Sequence, residues 1–402
     1  MQILFVHQNA PAQFRHIAAR LARDPGNRVV YITHEGKPVP QGVARVQYKP
    51  HREPHKQTHH YLRTAESAVI YGQGVARAAQ KLKKSGFTPD LIMGHPGWGE
   101  TLFLKDIWPT ARLISYCEFY YNATGSNIHF DPEYPDGEEI VFRTRMRNAH
   151  HLLSVEAADA LYAPTAWQKR QFPTAYRDRI DVIHDGIDCE RARPDPTATF
   201  TVKDGPTFRV GDEVITYVAR NLEPYRGFHS FMRALPHLLA KRPNAHVVIV
   251  GADGVSYGRA LPEGDSYKKR MLDELLLPKG RVHFTGHLPY LDYIRLLQVS
   301  AAHVYLTYPF VLSWSCLEAM AAGCVIVGSR TSPVEEVIED GENGLLVDFF
   351  KPIEIAERVA DVLANKVDVD SLRRAARETV LERFELEASL RKLDDLIART
   401  MA

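Results

Sequence analysis

Arg220 and Arg226 lie six residues apart, between a predicted strand and a predicted helix, in a segment that ends at Gly227. Guanidinium groups are always charged and hydrogen-bond phosphate oxygens well. Further along, Ser313 and Ser315 precede a small-residue helix and can cap it, leaving its first N–H groups to face an anion. Both patterns indicate a site for a phosphate-bearing ligand. The competing interpretation of the arginines is a pair of solvated loop residues.

Glu318 adds a second kind of chemistry to this segment. We expect it in the first turn of the helix that starts near Ser315 and stops at Gly323. A carboxylate there can accept hydrogen bonds from two neighbouring hydroxyls, such as those of a ribose. The residue types therefore favour a nucleotide as the phosphate-bearing ligand.

Short apolar runs alternating with helical segments must position these residues. The predicted strands are 3–6, 28–33, 44–48, 90–94, 112–116, 160–163, 181–183, 214–218, 247–250, 282–284, 304–306, 325–327 and 344–347. Such alternation predicts βαβ units and mostly parallel sheets. The proline-containing segment 189–211 is interpreted as a linker. We expect two doubly wound Rossmann-like domains, with ligands bound at the carboxyl ends of the strands in a cleft between them.

Length and composition agree with a two-domain globular chain. The 402 residues carry a net charge of +1, which gives no reason to expect nucleic acid as a partner. Four scattered cysteines fit reduced thiols, and there is no long apolar run or signal-peptide pattern, so we expect a cytoplasmic protein. Arg143, Arg145 and Arg147 are most simply a solvated helix face. A secondary interpretation is peripheral contact with anionic lipid at the inner face of the cell membrane, or with a phosphorylated acceptor.

Several other site types are disfavoured. No G-x-G-x-x-G motif follows the first strand, and neither a P-loop nor a G-x-S-x-G motif occurs. Four histidines between 51 and 60 lack a clear ligand spacing, so a solvated loop is favoured over a metal site. The pair Asp368 and Asp370 is better explained by a helix cap than by a metal–nucleotide site. We therefore expect no bound metal and no cofactor.

Polar residues also follow predicted strands in the first half. His95 and Glu118 each come after a strand end, and Asn9 lies on the first strand-to-helix loop. We expect His95 and Glu118 to take part in catalysis, together with Arg220 and Arg226, and Asn9 to contribute to the donor site. For His95, which precedes Pro96 and Gly97, a purely structural role in a turn is an equal alternative.

Taken together, the motifs resemble those of the retaining nucleotide-sugar glycosyltransferases of family 4, also called group 1, which have the GT-B fold. The matching segments are 183–188, 220–227, 282–286, 317–323 and 340–347. The resemblance implies two Rossmann-like domains, 1–188 for the acceptor and 189–384 for the donor. It also implies that the C-terminal helix, 385–402, crosses back to the first domain.

Carried over to this chain, the resemblance assigns roles to individual residues. Arg220 and Arg226 would bind the diphosphate of a UDP- or GDP-linked sugar. Glu318 would hold the ribose, and Glu118 would lie near the transferred sugar. The remaining donor-site positions would be Ser313, Trp314, Ser315, Gly251 near the same pocket and His287 near the base.

One position departs from the family pattern. The family motif has two glutamates separated by seven residues; Glu318 is the second, and Phe310 occupies the place of the first. The expected function is a metal-independent glycosyltransferase that acts on a glycan, lipid-linked or small-molecule acceptor in bacterial-type polysaccharide or glycoconjugate synthesis. No protein nucleophile is evident, so retention would follow from same-face attack. The alternatives are a non-catalytic nucleotide-sugar-binding or scaffolding partner and a nucleotide-sugar epimerase.

Overall fold

The computed structural model describes residues 1–402. The chain forms two compact units. Unit 1 comprises Met1–Gly186 and Glu387–Ala402, and unit 2 comprises Ile187–Leu386. None of the helices is long and apolar enough to cross a bilayer.

Unit 1 is built on a seven-stranded parallel sheet. Its strands are β1 (Gln2–Val6), β2 (Arg28–His34), β3 (Ala44–Tyr48), β4 (Leu91–Gly94), β5 (Arg112–Tyr116), β6 (Ala160–Ala163) and β7 (Ile180–Val182). Its helices are α1 (Arg15–Ala22), α2 (Arg63–Lys84), α3 (Leu104–Ile107), α4 (Ile140–Arg147), α5 (Ala149–Ala157), α6 (Ala166–Gln171) and α7 (Thr174–Arg177). The strand order is β3-β2-β1-β4-β5-β6-β7. The chain reverses its direction of winding between β1 and β4, which is where doubly wound sheets bind ligands.

Unit 2 repeats this plan with a six-stranded parallel sheet. A hairpin of β8 (Thr199–Thr201) and β9 (Thr207–Arg209) precedes it. The sheet strands are β10 (Val214–Asn221), β11 (His246–Ala252), β12 (Val282–Gly286), β13 (Ala302–Tyr305), β14 (Val325–Ser329) and β15 (Leu345–Val347). The helices are α8 (Phe228–Lys241), α9 (Tyr267–Glu274), α10 (Tyr290–Gln298), α11 (Trp314–Ala321), α12 (Ser332–Glu335), α13 (Pro352–Leu363) and α14 (Val369–Arg383). The order is β12-β11-β10-β13-β14-β15, so the change of direction falls between β10 and β13.

The predicted linker over residues 189–211 lies within unit 2 and contains this hairpin, which the sequence interpretation missed. Phe200 and Phe208 face each other across the two strands and are buried, whereas the threonines beside them are exposed. Two short strands with one apolar residue each give too brief an alternation to stand out among the prolines.

The last helix, α15 (Leu386–Met401), packs with unit 1. Arg20 of α1 forms ion pairs with Glu387 at 2.8 Å and with Asp394 at 2.9 Å. Leu390, Leu393 and Ile397 are buried at helical spacing. The fold class, two Rossmann-like α/β domains with a C-terminal helix that rejoins the first, is confirmed.

Candidate nucleotide-binding site

Unit 2 contains a cavity of about 320 Å³ at the point where its sheet changes winding direction. Polar side chains from the ends of β10 and β12 and from α10 and α11 line it. They include Arg220, Asn221, Glu223, Arg226, Tyr257, His287, Tyr290, Tyr293, Ser313, Trp314, Ser315 and Glu318. Seven of the residues predicted to bind the donor therefore share one cavity.

Arg226 is the most unusual residue of this cavity. Only 8% of it is exposed, and its Nη1 donates to Tyr305 Oη at 3.1 Å, Thr307 Oγ1 at 2.8 Å and Val311 O at 3.0 Å. No carboxylate pairs with it. Burial opposes its charge, but the phenols of Tyr305 and Tyr257 favour the charge and keep the pKa of Arg226 above its usual value. A buried cation held only by neutral groups is well suited to bind an anion.

Gly227 lets the turn after Arg226 lie close to β13. Its φ is +65°, and a Cβ atom there would lie 2.4 Å from Leu306 Cβ. Any larger residue would push the turn away from the strand end that supplies Tyr305 and Thr307. The glycine therefore helps to fix the buried position of Arg226.

Arg220 differs from Arg226 in its surroundings. It lies within β10, which extends to Asn221 instead of ending at Val218 as predicted, and its side chain is exposed. The two arginines reach one cavity, one from solvent and one from the protein interior. Residue type and spacing do not predict this difference in exposure between the two arginines, so only the structure reveals it.

Glu318 is held by two phenols that the sequence interpretation missed. Tyr290 Oη donates to Glu318 Oε1 and Tyr293 Oη donates to Oε2, each at 2.9 Å. Burial, followed by the charge of Glu318, raises the pKa of both tyrosines, so both remain donors. Their i, i+3 spacing at the start of α10 places both phenols on one face of the helix. This spacing is the sequence feature from which the pair could have been predicted.

The helix that carries Glu318 also begins earlier than predicted. α11 starts at Trp314, so Glu318 lies in its second turn, not its first. Ser313 is the N-cap, and its Oγ accepts from the Ser315 N–H at 3.3 Å, as the residue types predict. Trp314 and Ser315 line the cavity with half-buried side chains, and the exposed His287 reaches its rim.

Gly251 does not line this cavity; its neighbour Val250 does. A Cβ atom on Gly251 would lie 2.8 Å from Leu222 Cδ2 and 2.9 Å from Ala219 O. Its role in the structure is to allow the end of β11 to lie close to the end of β10 and to Leu222, which follows β10.

Glu223 is a further residue that the sequence interpretation missed. It is 1% exposed, and its carboxylate accepts backbone N–H groups of Ser256, Tyr257 and Gly258 at 2.8 to 3.3 Å. Its charge is therefore used to hold the loop that carries Tyr257, whose ring lies 5.6 Å from the Arg226 guanidinium carbon. Glu223 stabilises one wall of the cavity.

Phe310 packs in an aromatic cluster beside the cavity. Its ring lies 5.0 Å from that of Tyr257 and 5.7 Å from that of Tyr225, both edge to face, and it is 5% exposed. At the position where the family pattern has a carboxylate, this chain has an apolar residue that supports the wall instead.

His95, Glu118 and Asn9 lie in unit 1, at the corresponding point of its own sheet. His95 follows β4 and Glu118 follows β5, and His95 Nε2 is 3.3 Å from Glu118 Oε2. The backbone N–H of Asn9 donates to Nδ1 of His7, a residue that the sequence interpretation did not select. The ring centroids of His7 and His95 are 4.7 Å apart. Unit 1 thus brings two predicted residues into contact and adds a histidine.

Two family models match the chain. The model for the glycosyl transferase family 4 group matches residues 25–192, and the model for glycosyl transferases group 1 matches residues 201–379. The chain belongs to the group 1 glycosyltransferases. The second match contains every residue that lines the cavity of unit 2, from Val218 to Glu318.

Individual group 1 relatives are distant. The chain is 24% identical to a D-inositol 3-phosphate glycosyltransferase of Corynebacterium glutamicum over 72% of this chain and 65% of the relative. It is 26% identical to a glycogen synthase of Mycobacterium tuberculosis, over 79% of this chain and 71% of the relative. The matches to that Corynebacterium glutamicum protein, to a spore coat protein of Bacillus subtilis and to a D-inositol 3-phosphate glycosyltransferase of Nocardioides span 55 to 65% of the length of those relatives.

Solved structures of other proteins show the same fold. The Anabaena protein HepE, crystallised with UDP-glucose, superposes with a TM-score of 0.69 over 99% of this chain and 100% of that chain. The sequence identity is 16%, so the likeness concerns the fold alone.

Proposed function

We propose that this protein transfers a sugar from a UDP- or GDP-linked donor to a hydroxyl acceptor, with retention of anomeric configuration and without a metal ion. The observation that carries the proposal is the buried guanidinium of Arg226, which has no carboxylate partner and lines a cavity at the winding reversal of unit 2. A diphosphate supplies the negative charge that this cation lacks in the protein.

Each end of a nucleoside diphosphate has matching groups in the cavity. The carboxylate of Glu318 is fixed by Tyr290 and Tyr293 and lines the cavity, where it would accept hydrogen bonds from the ribose hydroxyls. Arg220 and Arg226 line the same cavity and would bind the phosphates. His287, which also lines the cavity, would lie near the base.

The chemistry required of the protein is stabilisation of a leaving diphosphate. Arg220 and Arg226 carry permanent positive charge, so they can neutralise this leaving group in the role that a divalent cation has in other enzymes. Fixed donors aimed at developing charge are often the largest catalytic contribution, and loss of one costs roughly a hundred- to a thousandfold in rate. Same-face attack by the acceptor hydroxyl accounts for retention.

Unit 1 would supply the groups that bind the sugar acceptor. His95 can donate a hydrogen bond and Glu118 can accept one, and a hydroxyl group needs both kinds of partner. The ring of Trp98 stacks on that of His95, with the ring centroids 5.0 Å apart. HepE has also been crystallised with UDP and glucose, and the curated relatives act on an inositol phosphate or build glycogen. We infer a glycan, lipid-linked or small-molecule acceptor, in polysaccharide or glycoconjugate synthesis.

Phe310 supports one alternative, a subunit that binds nucleotide sugars without turning them over. An apolar residue occupies the position of the family's sugar-binding glutamate, so the sugar end of the site has lost a carboxylate. The retained arginines and Glu318 would then serve binding alone.

A two-step experiment separates the alternatives. Calorimetry with UDP, GDP, ADP and inorganic pyrophosphate tests the cavity, and we expect UDP or GDP to bind more tightly than pyrophosphate because only nucleotides reach Glu318. A panel of UDP- and GDP-sugars is then assayed for slow hydrolysis in the absence of metal, and proton NMR of the released sugar gives its configuration. Binding without turnover of any donor supports the non-catalytic alternative; an inverted product refutes retention.

We also propose that the enzyme works in the cytoplasm at the inner face of the membrane. On α4 the apolar Val141 and Phe142 are 39% and 57% exposed, next to the exposed Arg143 and Arg145. Such a surface suits an anionic bilayer. We expect the protein to sediment with phosphatidylglycerol vesicles but not with phosphatidylcholine vesicles. If it sediments with neither kind of vesicle, the membrane contact is refuted.

A further inference from the structure

Four side chains of unit 1, His7, Gln13, His95 and Glu118, form what we call the switch-point cluster. His7 directly follows β1, His95 directly follows β4, and Glu118 follows β5. These strands are neighbours in the parallel sheet, so their carboxyl ends bring the three residues together. Gln13 comes from the 3-10 turn Ala12–Phe14, which the fully buried Phe14 anchors.

Backbone N–H groups fix the tautomer of both imidazoles. The Asn9 N–H donates to His7 Nδ1 at 2.8 Å, and the Gly97 N–H donates to His95 Nδ1 at 3.0 Å. An N–H group can only donate, so each Nδ1 must be the acceptor and each neutral ring carries its proton on Nε2. Burial, followed by repulsion from His95, lowers the pKa of His7 well below its usual value, so His7 is neutral.

The fixed proton of His7 then orients Gln13. His7 Nε2 donates to Gln13 Oε1 at 2.9 Å, which directs the amide oxygen towards His7 and the amide nitrogen away from it. That nitrogen donates to Glu118 Oε1 at 2.8 Å. The direction of every bond in the series from Asn9 to Glu118 is thus determined by one backbone N–H group.

The opposite side of the Glu118 carboxylate faces His95. His95 Nε2 is buried and makes no hydrogen bond, although Glu118 Oε2 is 3.3 Å away. A buried donor left without a hydrogen bond is rare and calls for an explanation. A hydroxyl group can accept from His95 Nε2 while it donates to Glu118 Oε2, which would give the buried imidazole nitrogen the partner that it lacks.

We propose that Gln13 is a positioning residue: supported by His7, its amide holds Oε1 of Glu118 so that Oε2 and His95 Nε2 together receive the acceptor hydroxyl. This inference rests on the proposed glycosyltransferase function. Gln13 acts through Glu118, whose carboxylate orientation it determines.

The test combines two single variants with their double variant. Gln13→Met keeps the length of the side chain but removes the donor to Glu118. His7→Phe keeps an aromatic ring beside Phe14 but removes the bond that orients the amide. The matched control is Gln80→Met, the same substitution on the exposed face of α2. Thermal melting confirms that each variant is folded.

We expect Gln13→Met to lower kcat for hydrolysis of the donor that the wild type uses by about tenfold, the effect of losing one charge-assisted hydrogen bond. UDP or GDP affinity should be unchanged, because that site lies in unit 2. His7→Phe should lower kcat by a smaller factor. The double variant should be no slower than Gln13→Met, because His7 acts only through Gln13.

The outcomes separate this inference from the function on which it rests. An active wild type with Gln13→Met as fast as Gln80→Met refutes the positioning role alone, as do strictly multiplicative losses in the double variant. If Gln13→Met does not fold, an unchanged kcat in His7→Phe refutes the positioning role instead. A wild type that turns over no donor, whether or not it binds nucleotide, overturns the proposed function and this inference with it.

Discussion

Replacing Arg226 by alanine tests the nucleotide site most directly. Arg226 is 8% exposed, so a phosphate bound to it forms a charge-assisted hydrogen bond that is shielded from water. Such bonds contribute about 1.5–3 kcal/mol. Because 1.4 kcal/mol corresponds to a tenfold change in Kd, Arg226→Ala should weaken UDP or GDP binding by roughly 10- to 150-fold.

The same reasoning gives a much smaller value for Arg220. Its side chain is exposed, and ion pairs in solvent contribute about 0.2–1 kcal/mol. Arg220→Ala should therefore weaken binding by less than about fivefold. The two substitutions remove the same charge from the same cavity, so the difference between them isolates the effect of burial.

Isothermal titration calorimetry with UDP and GDP measures both affinities. Arg374→Ala is the control, because Arg374 is an exposed arginine of unit 2 that does not line the cavity. Thermal melting must show that Arg226→Ala is folded, since the substitution leaves Tyr305, Thr307 and Val311 without their donor. Unchanged affinity in a folded Arg226→Ala protein, or a larger loss in Arg220→Ala, would refute our assignment.

Two further predictions concern groups that only the structure reveals. Tyr293→Phe removes one of the two phenols that fix Glu318. UDP or GDP affinity should therefore fall by roughly three- to tenfold, while the affinity for inorganic pyrophosphate stays constant. Equal losses for both ligands in calorimetry would contradict the assignment of Glu318 to the ribose. Glu100 is fully buried, and burial raises its pKa to about 7. Because its folded-state pKa is above its unfolded value, the folded protein binds more protons between about pH 4.5 and 7, and stability should fall as the pH rises through this window by about 3 kcal/mol. Glu100→Gln should remove that part of the pH dependence in urea unfolding, and an unaltered slope would be the contrary result.

The local sequence pattern predicts the sheets of this protein well. Three strands, β3, β5 and β6, have the predicted bounds, because apolar runs between turn residues form strands whatever lies beyond them. Asp368 is the N-cap of α14 and accepts the Ser371 N–H at 3.0 Å, which is the structural role that its position favoured. Caps and apolar runs depend on neighbours only a few residues away, so the sequence contains the necessary information.

Seven of the predicted donor residues share one cavity for a reason that the sequence contains. They lie at or near a strand end or a helix start, and parallel strands bring such positions to one edge of the sheet. That rule brings Arg220, Arg226 and Glu318 together without any knowledge of their side-chain contacts.

What those side chains can do was decided by the tertiary structure. Arg226 is buried because β13 lies beside β10 and provides Tyr305 and Thr307, about 80 residues away. Glu318 is oriented by Tyr290 and Tyr293, and Glu118 by Gln13, which is 105 residues distant. Burial and hydrogen-bond direction depend on which elements become neighbours in space, and strand order is a property of the whole chain. The sequence by itself therefore determined where an anion and a hydroxyl could bind, and only the folded structure determined which charge is buried and which carboxylate is held.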